Sequence, residues 1–263
     1  MISEADDFLA ETEALGALVA DLEPARYGEK TQFKDWSVNA VLQHLHTWNY
    51  GAHLSLTDEA GVLDFMARTQ AAPSLRAFET DWLAGLEGPA LRTTWLDFAR
   101  KTADAFRGAD PKLRLKWFGP DMSARSSITA RQMETWAHAH EVFDHFGAQR
   151  AEADRLRNIA HLGVSTFGWT FANRRRKPPE PAPYVRLTAP SGALWEWNAP
   201  SDDHVVAGSA LEFCQVVTQT RNVGDTKLIV KGPAAEEWMS LAQCFAGPPN
   251  DPPPAGTRFR RAS

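Results

Sequence analysis

A chain of 263 residues, 43% of them hydrophobic and 23% charged, is long enough to bury one large core or two modest ones. Its formal net charge of −5 argues against a nucleic-acid footprint. The absence of any apolar run of about eighteen residues argues against a membrane span, and the acidic start MISEADDFLAETEAL against a signal peptide.

Apolar positions Phe8, Leu9, Leu15, Leu18, Val19 and Leu22 recur at mostly helical spacing, which predicts a first amphipathic helix over 3–22. A polar connection follows and ends at Trp36. Ser37 is a good N-cap, and Trp36 with Val41 fits a hydrophobic staple, so a second helix is predicted from there to about Leu56. On it His44 borders the stripe of Val41, Leu45 and Trp48, whereas His46 is turned about 200° from His44. The two cannot serve one metal from a regular helix.

Residues 74–108 read as two helices broken near Gly88 and Pro89, the second carrying Leu91, Trp95, Phe98, Thr102 and Phe106. Residues 112–122, with Trp117, Phe118, Gly119 and Pro120, read as a turn-rich connection able to close over a pocket mouth. The stretch 126–147 is predicted as a further helix, with Thr129 and Gln132 in the form of a capping box and Gly147 as its stop. Along it Glu134, His138, Glu141 and His145 form a polar stripe with apolar flanks. Glu134 and His138, one turn apart, have a metal-ligand spacing; taken alone they read first as a hydrogen-bonded surface pair, and a third ligand is required to overturn that.

A helix over 151–176, with His161 as a packing residue, must end before Pro178. The run Arg174, Arg175, Arg176 and Lys177 suits its C-terminus; the second reading of that run is attraction of an anionic substrate or cofactor. The prolines that follow mark a domain boundary. Beyond them 184–188 and 193–197 alternate around Ser191-Gly192 as a hairpin, 205–219 reads as a helix, 227–230 as a strand and 234–245 as a helix. The fold class is therefore α+β, with a helical bundle over 1–177, a small α+β domain over 184–247 and an extended or mobile proline-rich tail over 248–263. Cys214 and Cys244 offer no disulfide framework and read as reduced, packed thiols of a cytoplasmic protein.

Helices packed in a bundle can bring His44 to Glu134 and His138, and two imidazoles with a carboxylate suit zinc or a similar divalent ion. Three protein ligands leave coordination positions open, which implies chemistry or substrate binding. The ten tryptophans suit aromatic walls for a small organic ligand.

At these residues the sequence resembles a known family. DWSVNAVLQHL with ETWAHAHEV looks like the DinB-like metal-binding helical bundles, in particular the mycothiol-dependent maleylpyruvate isomerase family. That family has a tryptophan before the second helix, a His-Leu pair eight residues later and an E-x-x-x-H on a later helix, here Trp36, His44-Leu45, and Glu134 with His138. The resemblance implies His44, Glu134 and His138 as metal ligands, and a second domain resembling sterol-carrier proteins. It also places Arg221, in VVTQTRN, where the family has an arginine at a helix end. The patterns FCQVVTQTRN, TKLIVKGPAAEEWM and AQCFAGPP look like a distinct branch whose substrate the sequence does not assign.

What the resemblance implies is a thiol-dependent isomerase or transferase, with the metal lowering the pKa of a mycothiol-type cofactor. On a conjugated cis acid, thiol addition, bond rotation and elimination give the trans isomer; on another electrophile the adduct is the product. Arg221 would pair with a substrate carboxylate, and Glu141 would orient His138 or move a proton. Two alternatives keep the same ligands: metal-assisted hydrolysis with Glu141 as base, and a non-catalytic metal-dependent ligand-binding protein. The partners expected are a small-molecule substrate and at most a second copy in a homodimer, with neither nucleic acid nor membrane.

Overall fold

The computed structural model describes residues 1–118 and 121–262, which fall into two compact units, Met1–Phe146 and Gly147–Ser263. The first unit carries α1 (Glu4–Leu18), α2 (Val38–Thr57), α3 (Glu59–Ala71), α4 (Leu75–Leu83), α5 (Gly88–Arg107) and α6 (Ala124–His145). Helices α1 and α2 each pack against both α5 and α6, which makes a four-helix bundle; α3 and α4 form the crossover and lie on α2. Leu15, Val41, Leu42, Leu45, Trp95 and Val142 are fully buried at its centre. Each such side chain contributes about 1.5–3 kcal/mol over its exposed state.

Local chemistry accounts for the ends. Ser37 caps α2, its hydroxyl accepting from the Ala40 amide at 3.1 Å. Helix α3 was not foreseen, although Asp58 caps it through the Gly61 amide at 2.9 Å and Val62 and Phe65 mark a buried face. Helix α6 starts earlier than the reading from Thr129: Ser123 is its cap, accepting from the Ser126 amide at 3.1 Å, so Thr129 lies inside the helix. Just before α6, β1 (Arg114–Leu115) and β2 (Met122–Ser123) pair antiparallel. The connection between them lays Trp117 and Phe118 against Trp48, with ring centroids 6.0 and 5.3 Å away; Gly119 and Pro120 lie outside the described residues.

In the second unit the predicted helix over 151–176 is two helices, α7 (Leu156–Ser165) and α8 (Phe167–Ala172), broken at Thr166. The Thr166 hydroxyl donates back to the Leu162 carbonyl at 2.7 Å, a bond that competes with helix continuation. Helices α7 and α8 belong to the same compact unit as the strands that follow them. A hairpin of β3 (Tyr184–Thr188) and β4 (Leu194–Trp197) stands where the alternation predicts it. Residues 205–219 are not one helix: β5 (Val205–Ser209) runs parallel to β3 before α9 (Ala210–Val217) begins. Val205, Val206 and Gly208 are poor helix formers, and the ladder to β3 takes up their main-chain groups.

β6 (Ile229–Lys231) closes the order β4-β3-β5-β6, and α10 (Pro233–Leu241) follows. Helix α9 packs on β3 and β5, and also on α7.

The proline-rich end is irregular yet anchored. Gln219 donates to the Asn250 carbonyl at 2.8 Å, Asn222 to the Pro253 carbonyl at 2.8 Å, and the Gly256 amide to Asp225 at 2.9 Å. Arg174 also donates to the Asn250 carbonyl, and Arg176 pairs with Glu237, so part of the basic run fastens this unit together. Both cysteines are buried. Among the described residues no helix is long and apolar enough to cross a membrane.

Gly232 and Gly192 make a matched test of this unit. Gly232 has φ +89°, and an added Cβ would meet the Asp203 carbonyl oxygen at 1.9 Å, whereas Gly192, at φ +87°, would meet nothing within 4 Å. Gly192→Ala should cost about 1 kcal/mol from backbone strain alone and Gly232→Ala about 3 kcal/mol or more, as read from urea unfolding.

Candidate metal centre

The packing of α2 against α6 brings His44 to Glu134 and His138. One ligand atom from each lies within 4.8 Å of the other two. The Glu134 Oε2 atom sits 3.5 Å from the His44 Nε2 and 3.5 Å from the His138 Nε2. That is long for a charge-assisted hydrogen bond. Ligands about 2.1 Å from a tetrahedral cation, however, stand roughly 3.4 Å from one another, so both separations match edges of such a tetrahedron. The side chains are 12%, 24% and 11% exposed for His44, Glu134 and His138, so the cluster is sheltered without being sealed.

His44 is aimed by its other nitrogen. Nδ1 lies 2.7 Å from Glu79 Oε1, on α4, and Glu79 is fully buried. A carboxylate there takes the Nδ1 proton as donor and leaves the Nε2 lone pair toward the cluster. Nε2 is itself buried with no hydrogen-bond partner, which is the state expected of a nitrogen built to accept a cation. Glu79 in turn accepts from Trp48 Nε1 at 2.9 Å and from Arg76 at 2.5 Å. Arg76 is held by the Ala40 carbonyl and by Gln43, at 3.1 and 2.8 Å, and its guanidinium lies 5.1 Å from the Trp36 ring centroid.

On the other side Trp36 stacks on His138 at 5.6 Å and 7°, and Phe33 meets the same imidazole edge-on at 5.1 Å. The tryptophan before the second helix thus packs on the bundle core and walls the site.

The charges of the four groups are set by one another. Burial opposes ionisation of Glu134, but His138 and His44 outweigh it and hold this carboxyl well below its ordinary range. Glu79 is likewise lowered, with burial overcome by His44, Trp48 and Arg76. Burial lowers His44, yet the two carboxylates carry its pKa above the ordinary imidazole value. His138 is lowered, by burial first and by His44, against the pull of Glu134. Two anionic carboxylates and two imidazoles fit a divalent cation, and the donor set of nitrogen and oxygen without sulfur suits zinc.

The remaining candidates fall elsewhere. Glu141 is buried one turn beyond His138 on α6, and Arg221 lies in the second unit just past α9, donating to the Thr220 carbonyl at 2.8 Å. His46 packs between Trp82 and Phe98, at 5.7 and 5.5 Å, where burial pushes its imidazole down to about 4. His161 is exposed and accepts from Trp197 Nε1 at 3.2 Å. Glu79 and Arg76 escaped the sequence reading. Their signal was present as an acid beside Phe78 and one turn before Leu83, on the buried face of α4.

Three comparisons bear on this geometry. Residues 8–143 match the family model described as the mycothiol maleylpyruvate isomerase N-terminal domain. Two uncharacterized proteins of Mycobacterium tuberculosis, MT0041 of strain CDC 1551 / Oshkosh and Rv0036c of strain H37Rv, are each 37% identical over 246 residues, covering 92% of this chain and 95% of theirs. A crystal structure of the mycothiol-dependent maleylpyruvate isomerase has a similar fold, with TM-score 0.54 and 16% identity over 88% of this chain and 95% of that one. A mutant of that enzyme matches at TM-score 0.50 and 16% identity, over 81% and 87% of the two chains. The chain belongs to the family defined by the mycothiol maleylpyruvate isomerase N-terminal domain.

Proposed function

We propose that this chain is a cytoplasmic, divalent-metal-dependent enzyme, with zinc as the fitting cation, that uses a low-molecular-weight thiol of the mycothiol type to isomerise or conjugate a small electrophilic organic acid. The observation that supports it most directly is the meeting of His44, Glu134 and His138 with two 3.5 Å separations and one imidazole aimed by Glu79. When bound, such a cation supplies Lewis acidity that lets a thiol at an open position react as thiolate near neutral pH.

The chain's own groups have separable tasks. His44 and His138 present Nε2, and Glu134 supplies the one anionic ligand. Glu79, held by Arg76 and Trp48, fixes the His44 tautomer. Trp36 and Phe33 exclude water from the His138 face, which strengthens electrostatic interactions inside. Glu141 is assigned the proton transfer or the orientation of His138, and Arg221 the substrate carboxylate.

His44→Ala, Glu134→Ala and His138→Ala should each strip the protein of most of its metal, while His46→Ala and His161→Ala should retain it, as read by elemental analysis after dialysis. Glu79→Gln should keep the cluster but weaken metal affinity by about 10–100-fold, measured by competition with a chromophoric chelator. In a panel of small conjugated cis acids, turnover should require both metal and thiol. Metal-dependent turnover indifferent to thiol would contradict the thiol assignment.

A further inference from the structure

Arg76 and Arg131 are the two arginines tied to the α2 side of this cluster, and they are treated differently. Arg76 is matched by a full carboxylate, Glu79 at 2.5 Å. Arg131 is not. It lies on α6, three residues before Glu134, and is only 4% exposed. Its Nε donates to Asn49 Oδ1, on α2, at 3.1 Å, and its Nη2 is enclosed with no acceptor. Among the described residues no carboxylate pairs with it, and Glu134 acts on it only through space. Glu134 is committed to the imidazoles, through the oxygen that stands 3.5 Å from both of them.

Asn49 extends the same deficit. Because its Oδ1 accepts from the guanidinium, its Nδ2 points the other way, and that amide nitrogen is buried without an acceptor as well. Asn49 is fully buried. One hydrogen-bonded pair of side chains therefore holds two enclosed N–H groups and a permanent positive charge, with nothing to receive them. Burial pulls the guanidinium down to about 10, against the through-space pull of Glu134. Native interiors rarely leave such donors unsatisfied, and a buried charge lacking its counterpart is among the costliest features a fold can carry.

We propose that Arg131 and Asn49 form an anion subsite beside the metal cluster, which takes a carboxylate of the small organic acid through charge-assisted N–H donors. The inference rests on the metal-centre reading for its setting, though not for the guanidinium's missing counterion. The subsite lies within the first unit, built from α2 and α6 alone, and so is separate from Arg221. A carboxylate is the fitting class because it offers two oxygens to a planar fork of donors.

The test uses succinate as probe and succinamide as its neutral counterpart, by calorimetry on the zinc-loaded protein, with Arg131→Met and Arg131→Lys as variants. Wild type should bind succinate and not succinamide. Arg131→Met should keep its zinc and melt at the same or a higher temperature, since it removes an unpaired buried charge. It should lose about 10–100-fold in succinate affinity, the effect of one or two charge-assisted hydrogen bonds, with Arg131→Lys intermediate. Two results would overturn the proposal: no succinate binding by wild type, or an Arg131→Met protein that melts markedly lower while binding succinate as before, which would make the arginine structural. If the protein takes up no zinc but still binds succinate through Arg131, the metal reading fails and the anion subsite stands.

Discussion

One buried carboxylate governs the site. Glu79 is fully enclosed and accepts from Trp48 and Arg76 while holding His44 Nδ1 at 2.7 Å. An imidazole has two nitrogens, and which one is free decides whether it can serve as a ligand. By engaging Nδ1 from α4, Glu79 dedicates Nε2 to the space shared with Glu134 and His138. The crossover helices between α2 and α5 are thus part of the site, because the short α4 delivers the group that aims a residue on α2. Truncating Glu79 would also leave Arg76 without its counterion, so the aim of His44 and the pairing of Arg76 depend on the same carboxylate.

Much of the bundle could be read from local rules. Ser37 with Trp36 fixed the start of α2, and that start set the phase separating His44 from His46. The E-x-x-x-H pair needed only helical periodicity. What resisted was whatever depends on contacts distant in sequence. Glu79 looks like any helical glutamate until α4 is laid on α2, and Arg131 until Asn49 comes beside it. Residues 205–209 have the apolar continuity of a helix start, and only the ladders to β3 and β6 make them a strand. Ser123 and Thr129 both precede plausible helical turns, so local pattern alone does not separate them as caps. The hairpin pairing of Leu115 with Met122 sets the choice by fixing where the chain turns into α6.

The chain's family model spans 8–143, which contains all three cluster residues together with Glu79, Arg76, Arg131 and Asn49. The second unit has a sheet and helices of its own and carries Arg221 just past α9, with both cysteines buried. Unpaired buried charge of the Arg131 kind lowers stability, the usual tension between binding chemistry and fold stability.

The central claim is that two imidazoles and a carboxylate from α2 and α6 hold one cation with room left for sulfur. X-ray absorption spectroscopy of the zinc-loaded protein addresses it directly. The account predicts nitrogen and oxygen neighbours at about 2.0–2.1 Å with the scattering signature of two imidazoles, and a new sulfur neighbour at about 2.3 Å when mycothiol is added. Sulfur at zinc before any thiol is added, or a spectrum unchanged in His44→Ala, would contradict it.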